Sequence, residues 1–153
     1  MNENFKYAIK LICERLENKN IRWALVGSTN MNLQGIDINP NDLDIIVQLE
    51  DLSKIREIFS DFDVSKVKEL EPLSELDTKK FEVTFLIDNV PIQVIGEGSE
   101  GLYVSKFLNG GLVKFSLDSV KVPCFALEAE AQTYSETDRE HKSTLIREFL
   151  GRE

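Results

Sequence analysis

The chain has 153 residues, 42% hydrophobic and 29% charged, a composition that suits one compact domain burying about 70% of its unfolded surface. Its 18 Lys and Arg against 27 Asp and Glu give a formal charge of -9, which excludes a broad phosphate-backbone footprint and hence duplex nucleic acid as a partner. No apolar run approaches the ~20 residues needed to span a bilayer, and the opening MNENFKYAIK lacks the apolar core of a secretion signal, so no membrane association and a cytoplasmic location are expected.

Phe5, Ala8, Ile9, Ile12 and Leu16 recur at helical spacing within residues 3–18, and Asn18-Lys19-Asn20 provides the stop. Ile21 to Val26 is a nearly continuous apolar run, as expected for a central strand covered on both faces. Gly27 ends it, and residues 28–34 form a short helix capped by Ser28 or Thr29 and stopped at Gly35. After the turn Asn39-Pro40-Asn41, residues 43–49 read as a second strand. Asp51 caps a helix whose buried stripe is Leu52, Ile55, Ile58 and Phe59.

Residues 61–80 carry mixed signals and support no assignment beyond an exposed connection. Phe81, Val83, Phe85 and Ile87 then alternate with other residues at strand period, and Asp88-Asn89 turns the chain into a returning strand over residues 91–97. The glycines of Glu97-Gly98-Ser99-Glu100-Gly101 lack the Lys and following helix of a phosphate loop, so they read as a flexible connection. Residues 112–122 form a second hairpin with Asp118-Ser119 at its turn. Beyond Pro123 the chain turns helical, first with Leu127, Ala131 and Tyr134 on one stripe. A last helix, capped by Asp138, carries Leu145, Ile146, Phe149 and Leu150 up to Gly151. Glu128, Glu130 and His141 read as solvated helix residues. Cys13 and Cys124, distant in sequence and flanked by apolar residues, read as buried thiols. With His141 the only histidine and no paired cysteine spacing, any metal would be held by oxygen.

Chemistry concentrates between Trp23 and Val47. A Gly-Ser corner after a buried strand frees backbone N–H groups at a helix start, where a phosphate is stabilised by those donors. On the next strand Asp42 and Asp44 share a face, because side chains alternate, while Leu43, Ile45 and Val47 enter a core. Carboxylates roughly 7 Å apart on one strand face can hold divalent cations between them.

In this order, Val26-Gly27-Ser28 followed by Asp42-Leu43-Asp44-Ile45 resembles the nucleotidyltransferase signature of the DNA polymerase beta superfamily, closest to its small single-domain members. The resemblance implies a single nucleotidyltransferase-like domain over residues 1–153, an α+β fold with a mixed sheet flanked by helices and with helices closing the C-terminus. It also implies transfer of a nucleotidyl group from a magnesium-bound nucleoside triphosphate (NTP) to a hydroxyl of a small molecule or a partner protein. Gly27 and Ser28 would bind the triphosphate, and Asp42 and Asp44 two Mg2+ ions. Active relatives carry a third carboxylate on a later strand. The equivalent position here is Gln93, which takes no proton at neutral pH, with Glu97 on the same face at the strand end and Glu82 on the preceding strand as substitutes. Many relatives also place a Lys in the first C-terminal helix, whereas this one reads LEAEAQTYSE. These departures leave an alternative, a catalytically degenerate binding or regulatory module of the same fold.

Overall fold

A computed structural model describes residues 1–151. It opens with α1 (Glu3–Leu16), whose N-cap Asn2 accepts a hydrogen bond from the Phe5 amide, and which buries Phe5, Ala8, Ile9, Ile12 and Leu16 along one stripe. Next come β1 (Trp23–Val26), α2 (Gly27–Leu33), β2 (Leu43–Gln48) and α3 (Leu52–Ile58). The segment left unassigned from sequence contains a short edge strand, β3 (Lys68–Leu70), followed by irregular chain up to β4 (Lys80–Ile87). β5 (Val90–Glu97), α4 (Val104–Leu108), β6 (Leu112–Leu117), β7 (Val120–Phe125), α5 (Leu127–Glu136) and α6 (Glu140–Gly151) complete the described residues.

The strands form one mixed sheet in the order β3-β4-β5-β2-β1-β7-β6. β1 lies antiparallel to β2 and parallel to β7, and β2 lies parallel to β5. This is the α+β arrangement expected from the sequence. Both hairpin turns are built on left-handed residues, Asp88 and Asn89 in one and Asp118 in the other, which side chains of this type tolerate best after glycine.

Alternation along β1 and β2 divides the interior into two layers. Trp23, Leu25, Leu43, Ile45 and Val47 face α1 and α3. Ala24, Val26 and Ile46 face α4 with Val104 and Phe107. A third cluster, Met31, Ile36, Leu127, Ala131, Tyr134 and Ile146, packs α2 against α5 and α6. The C-terminal helices are therefore docked beside the β1–α2 corner rather than on the sheet centre.

Several local assignments shift. α2 begins at Gly27 with no side-chain cap, and the Thr29 hydroxyl instead donates to the Asp42 carbonyl at 2.6 Å, stitching the corner to the start of β2. Asp51 makes no capping hydrogen bond and pairs with Lys54 at 3.4 Å. Pro123 lies inside β7, which continues to Phe125. The glycine-rich connection does lead into a helix, the five-residue α4. Cys13 and Cys124 are free, and burial pushes their thiols up to about 11 and about 12, so both are protonated at neutral pH. No helix among the described residues is long and apolar enough to cross a membrane.

Gly96 permits close approach of the α3 segment to β5. A Cβ there would meet Leu52 Cδ1 and Cγ at 2.6 Å and the Leu49 backbone at 3.3 Å. Gly96→Ala should cost about 1–3 kcal/mol through overpacking, read as a lower midpoint in urea unfolding.

Candidate active site

The site is assembled at Gly27. Its φ of +75° is one that glycine alone adopts without strain, and a Cβ would lie 2.9 Å from Asp44 Oδ2. β1 and β2 are in register with Val26 opposite Asp44, so the sheet itself brings the Asp44 carboxylate against the corner. Behind the corner, the Gly27 amide donates to Glu130 Oε2 at 3.1 Å, and the Asn30 side-chain amide donates to the same oxygen at 2.8 Å. Glu130 is fully buried, contrary to the solvated position expected from its alternation with alanines. Helical geometry turns it inward with Leu127, Ala131 and Tyr134, while Glu128 stays exposed.

The corner thus crowds three carboxyl groups together, and each disfavours ionisation of its neighbours. Burial, followed by the charges of Asp42 and Glu130, pushes the Asp44 carboxyl up to about 8. Burial likewise raises Glu130 to about 7, against the lowering effect of its bonds from Asn30 and Gly27. Asp44 Oδ1 and Glu130 Oε1 are both buried without a hydrogen-bond partner. An unpartnered carboxylate oxygen beside a second carboxylate is a good position for a cation.

A cleft of about 340 Å³ opens over this corner. Gly27, Ser28, Asp42, Asp44 and Gln93 line it, Arg139 and Lys142 supply positive charge, and Lys80, also in the lining, is neutralised by its buried ion pair with Asp77. Tyr103 and Tyr134 form its aromatic wall. Arg139 donates to the Tyr103 hydroxyl at 3.0 Å, and its guanidinium lies 4.5 Å from the Tyr134 ring centre. Lys142 Nζ lies 5.3 Å from the same ring. Burial raises both tyrosine hydroxyls well above their ordinary range, leaving them neutral donors.

Four residues singled out from the sequence, Gly27, Ser28, Asp42 and Asp44, therefore meet in one cleft, and Gln93 joins them because β5 places it opposite Asp44. Glu97 does not join them. It is fully buried, its Oε1 accepts from the Tyr103 and Val104 amides at 2.9 and 3.1 Å, and its Oε2 accepts from the Thr78 hydroxyl. With Lys80 4.0 Å away, this carboxylate anchors the loop leading into α4. The Gly27 amide, taken by Glu130, is likewise not directed at the cleft.

Sequence reading missed the basic side. Arg139 and Lys142 lie in a charged stretch that looks solvated, yet residues 139, 142, 143 and 146 fall at helical spacing on the side that carries buried Ser143 and Ile146. That inward stripe was the available signal. His141 is exposed, as expected.

Among the described residues no group of three or more His, Cys, Asp or Glu side chains could enclose a metal. The donor set instead fits an ion held by one or two carboxylates and completed by phosphate or water oxygens, the habit of magnesium.

Two expected outcomes test this geometry. Gly27→Ala should destabilise the chain by about 1–3 kcal/mol through left-handed strain and the Asp44 contact, measured by chemical unfolding. Because the folded-state values of Asp44 and Glu130 lie above their unfolded values, the folded state holds more protons between about pH 4 and 8. Stability should therefore fall as pH rises through that window. Glu130→Gln should flatten the decline by a few degrees of melting temperature near pH 7–8.

Comparison with known proteins agrees with this fold. The chain matches the Aminoglycoside-2''-adenylyltransferase family over residues 8–146. A solved structure of a candidate nucleotidyltransferase from Thermotoga maritima superposes with a TM-score of 0.75 at 25% identity, covering 100% of this chain and 96% of that one. The lincomycin-bound lincosamide antibiotic adenylyltransferase LnuA gives 0.58 at 14% identity, with 96% of each chain covered. ANT(2'')-Ia in complex with adenylyl-2''-tobramycin gives 0.61 at 15% identity, covering 95% of this chain and 89% of that one, and these last two likenesses speak for the fold alone. No match to a curated protein sequence was found. With the corner, the carboxylate pair and the mixed sheet in place, the chain belongs to the aminoglycoside-2''-adenylyltransferase family of nucleotidyltransferase-fold proteins.

Proposed function

We propose that this chain is a nucleotidyltransferase that moves an adenylyl group from magnesium-bound ATP to a hydroxyl of a small molecule. The observation that carries the reading is the pairing of charge across one cleft. Asp42 and Asp44, with an unpartnered buried oxygen on Asp44, share the cleft with Arg139 and Lys142. A triphosphate needs both, since its oxygens bridge a carboxylate-held cation and bare cationic side chains.

Asp42 and Asp44 would hold magnesium, which when bound neutralises charge on the phosphates and on the departing pyrophosphate. Ser28 borders the same space, and its hydroxyl would donate to a phosphate oxygen. Arg139 and Lys142, steadied on Tyr134, take the place of the lysine that the α5 sequence lacks. Adenine is the base favoured by the family description, and the same description makes amino sugars the first acceptors to try. The lincomycin and tobramycin compounds bound by structural neighbours supply two further probes. The acidic net charge suits a small molecule better than a nucleic-acid acceptor.

The test is pyrophosphate release from Mg-ATP with tobramycin, lincomycin or water as acceptor. Wild type should release pyrophosphate, and Asp42→Ala should lose at least about 100-fold in rate. Release that survives the substitution would remove Asp42 from the reaction. Arg139→Ala and Lys142→Ala should each weaken Mg-ATP binding about tenfold, measured by calorimetry.

Gln93 supports a second reading, a degenerate module that binds nucleotide without transferring it. Under that reading Mg-ATP raises the melting temperature, wild type releases no pyrophosphate, and Gln93→Glu gains release.

A further inference from the structure

The position opposite Asp44 is an amide, yet a carboxylate lies one hydrogen bond away. Gln93 Nε2 donates to Glu82 Oε1 at 2.6 Å. Strand register explains the contact. Thr84 sits opposite Gln93 and Ile95 opposite Glu82, so Glu82, Thr84, Gln93, Ile95 and Asp44 project from one face of the sheet, the face on which the cleft opens. Three cleft-lining residues flank Glu82: Lys80 two positions earlier on its own strand, Ile95 across the ladder, and Gln93 through the hydrogen bond. Glu82 is partly buried, and Lys68 faces it from the edge strand β3. Among the other nearby acids, Glu97 is committed to the α4 loop and Glu130 to Gly27, while Glu71 borders the cleft from the exposed chain after β3, outside the sheet face that carries Asp44 and Gln93.

Resting on the nucleotidyl-transfer reading above, we propose that Glu82 is the general base of this site, displaced by one strand from the position Gln93 occupies. Its carboxylate takes the proton from the acceptor hydroxyl. The acceptor oxygen forms its bond to the α-phosphorus as the bond from that phosphorus to the pyrophosphate oxygen breaks, and pyrophosphate leaves with the electron pair. Gln93 is a positioning residue. Its amide donates to the Glu82 carboxylate and so fixes it over the sheet.

The experiment compares wild type, Glu82→Gln, Gln93→Glu and the double variant in the pyrophosphate-release assay, with the Mg-ATP-induced shift in melting temperature measured on each. The double variant exchanges carboxylate and amide between the two positions and keeps a hydrogen bond between them. Glu82→Gln should lower kcat by about 100-fold or more while its Mg-ATP shift and its KM for ATP stay at the wild-type values. The double variant should recover at least about tenfold of that loss. A lone packing or charge-pairing role with Lys68 would move the melting temperature of the free protein and leave kcat unchanged. The proposal is overturned if Glu82→Gln keeps wild-type kcat, or if the double variant is as slow as the single one. Failure of the underlying reading looks different: wild type neither releases pyrophosphate nor gains stability from Mg-ATP. If wild type binds Mg-ATP without turnover and Gln93→Glu creates turnover, Glu82 is not a base and the degenerate reading stands.

Discussion

The contact between the Gly27 amide and the buried Glu130 carboxylate holds the two halves of the site together. Gly27 belongs to the corner between β1 and α2, next to Asp44 on the neighbouring strand, whereas Glu130 belongs to α5. α5 carries Tyr134, and the chain beyond it brings Arg139 and Lys142 to the cleft. Fixing α5 to the corner therefore fixes the distance between the acidic and basic sides. Asn30 doubles the attachment, since its side-chain amide reaches Glu130 and the Phe125 carbonyl together. A carboxylate accepting from two donors in a buried setting is held more firmly than one facing water.

That attachment adds a third carboxyl group beside two others. Asp44 and Glu130 are both raised, and both retain an oxygen without a partner. Protein interiors rarely keep such groups unsatisfied, and where they do the arrangement commonly belongs to a binding or catalytic site. Under the proposed function, a cation at the carboxylates and an anion at Arg139 and Lys142 would relieve the imbalance, and the stability lost in keeping the corner acidic would be the counterpart of affinity for those ligands.

Periodicity made the framework legible. The stripe of α1, the alternation of β4 and the left-handed turn residues at Asp88-Asn89 are local signals, and each corresponds to an observed element. Gly27, Ser28, Asp42 and Asp44 were legible because their chemistry is carried by neighbours in sequence on adjoining strands. Glu130 was not, because alternation with alanine on a helix resembles a solvated face until the packing partner is known. Arg139 and Lys142 were hidden for a similar reason: a charged stretch reads as surface, and only the docking of α5 and α6 beside the corner turns it toward the cleft. Glu97 shows the converse. Its position at the strand end suggested chemistry, but the loop after it needed an acceptor for two amides.

The central claim is that Asp42 and Asp44 hold a divalent cation together with a nucleoside triphosphate. The direct measurement is paramagnetic broadening of backbone amide signals on adding Mn2+ and ATP to the isotope-labelled protein. Broadening centred on Gly27, Ser28, Leu43, Asp44 and Gln93, absent in Asp44→Asn, is the result this account requires. Broadening centred elsewhere, such as the groove lined by Lys10, Trp23 and Lys114 on the far side of the sheet, or none at all, would contradict it.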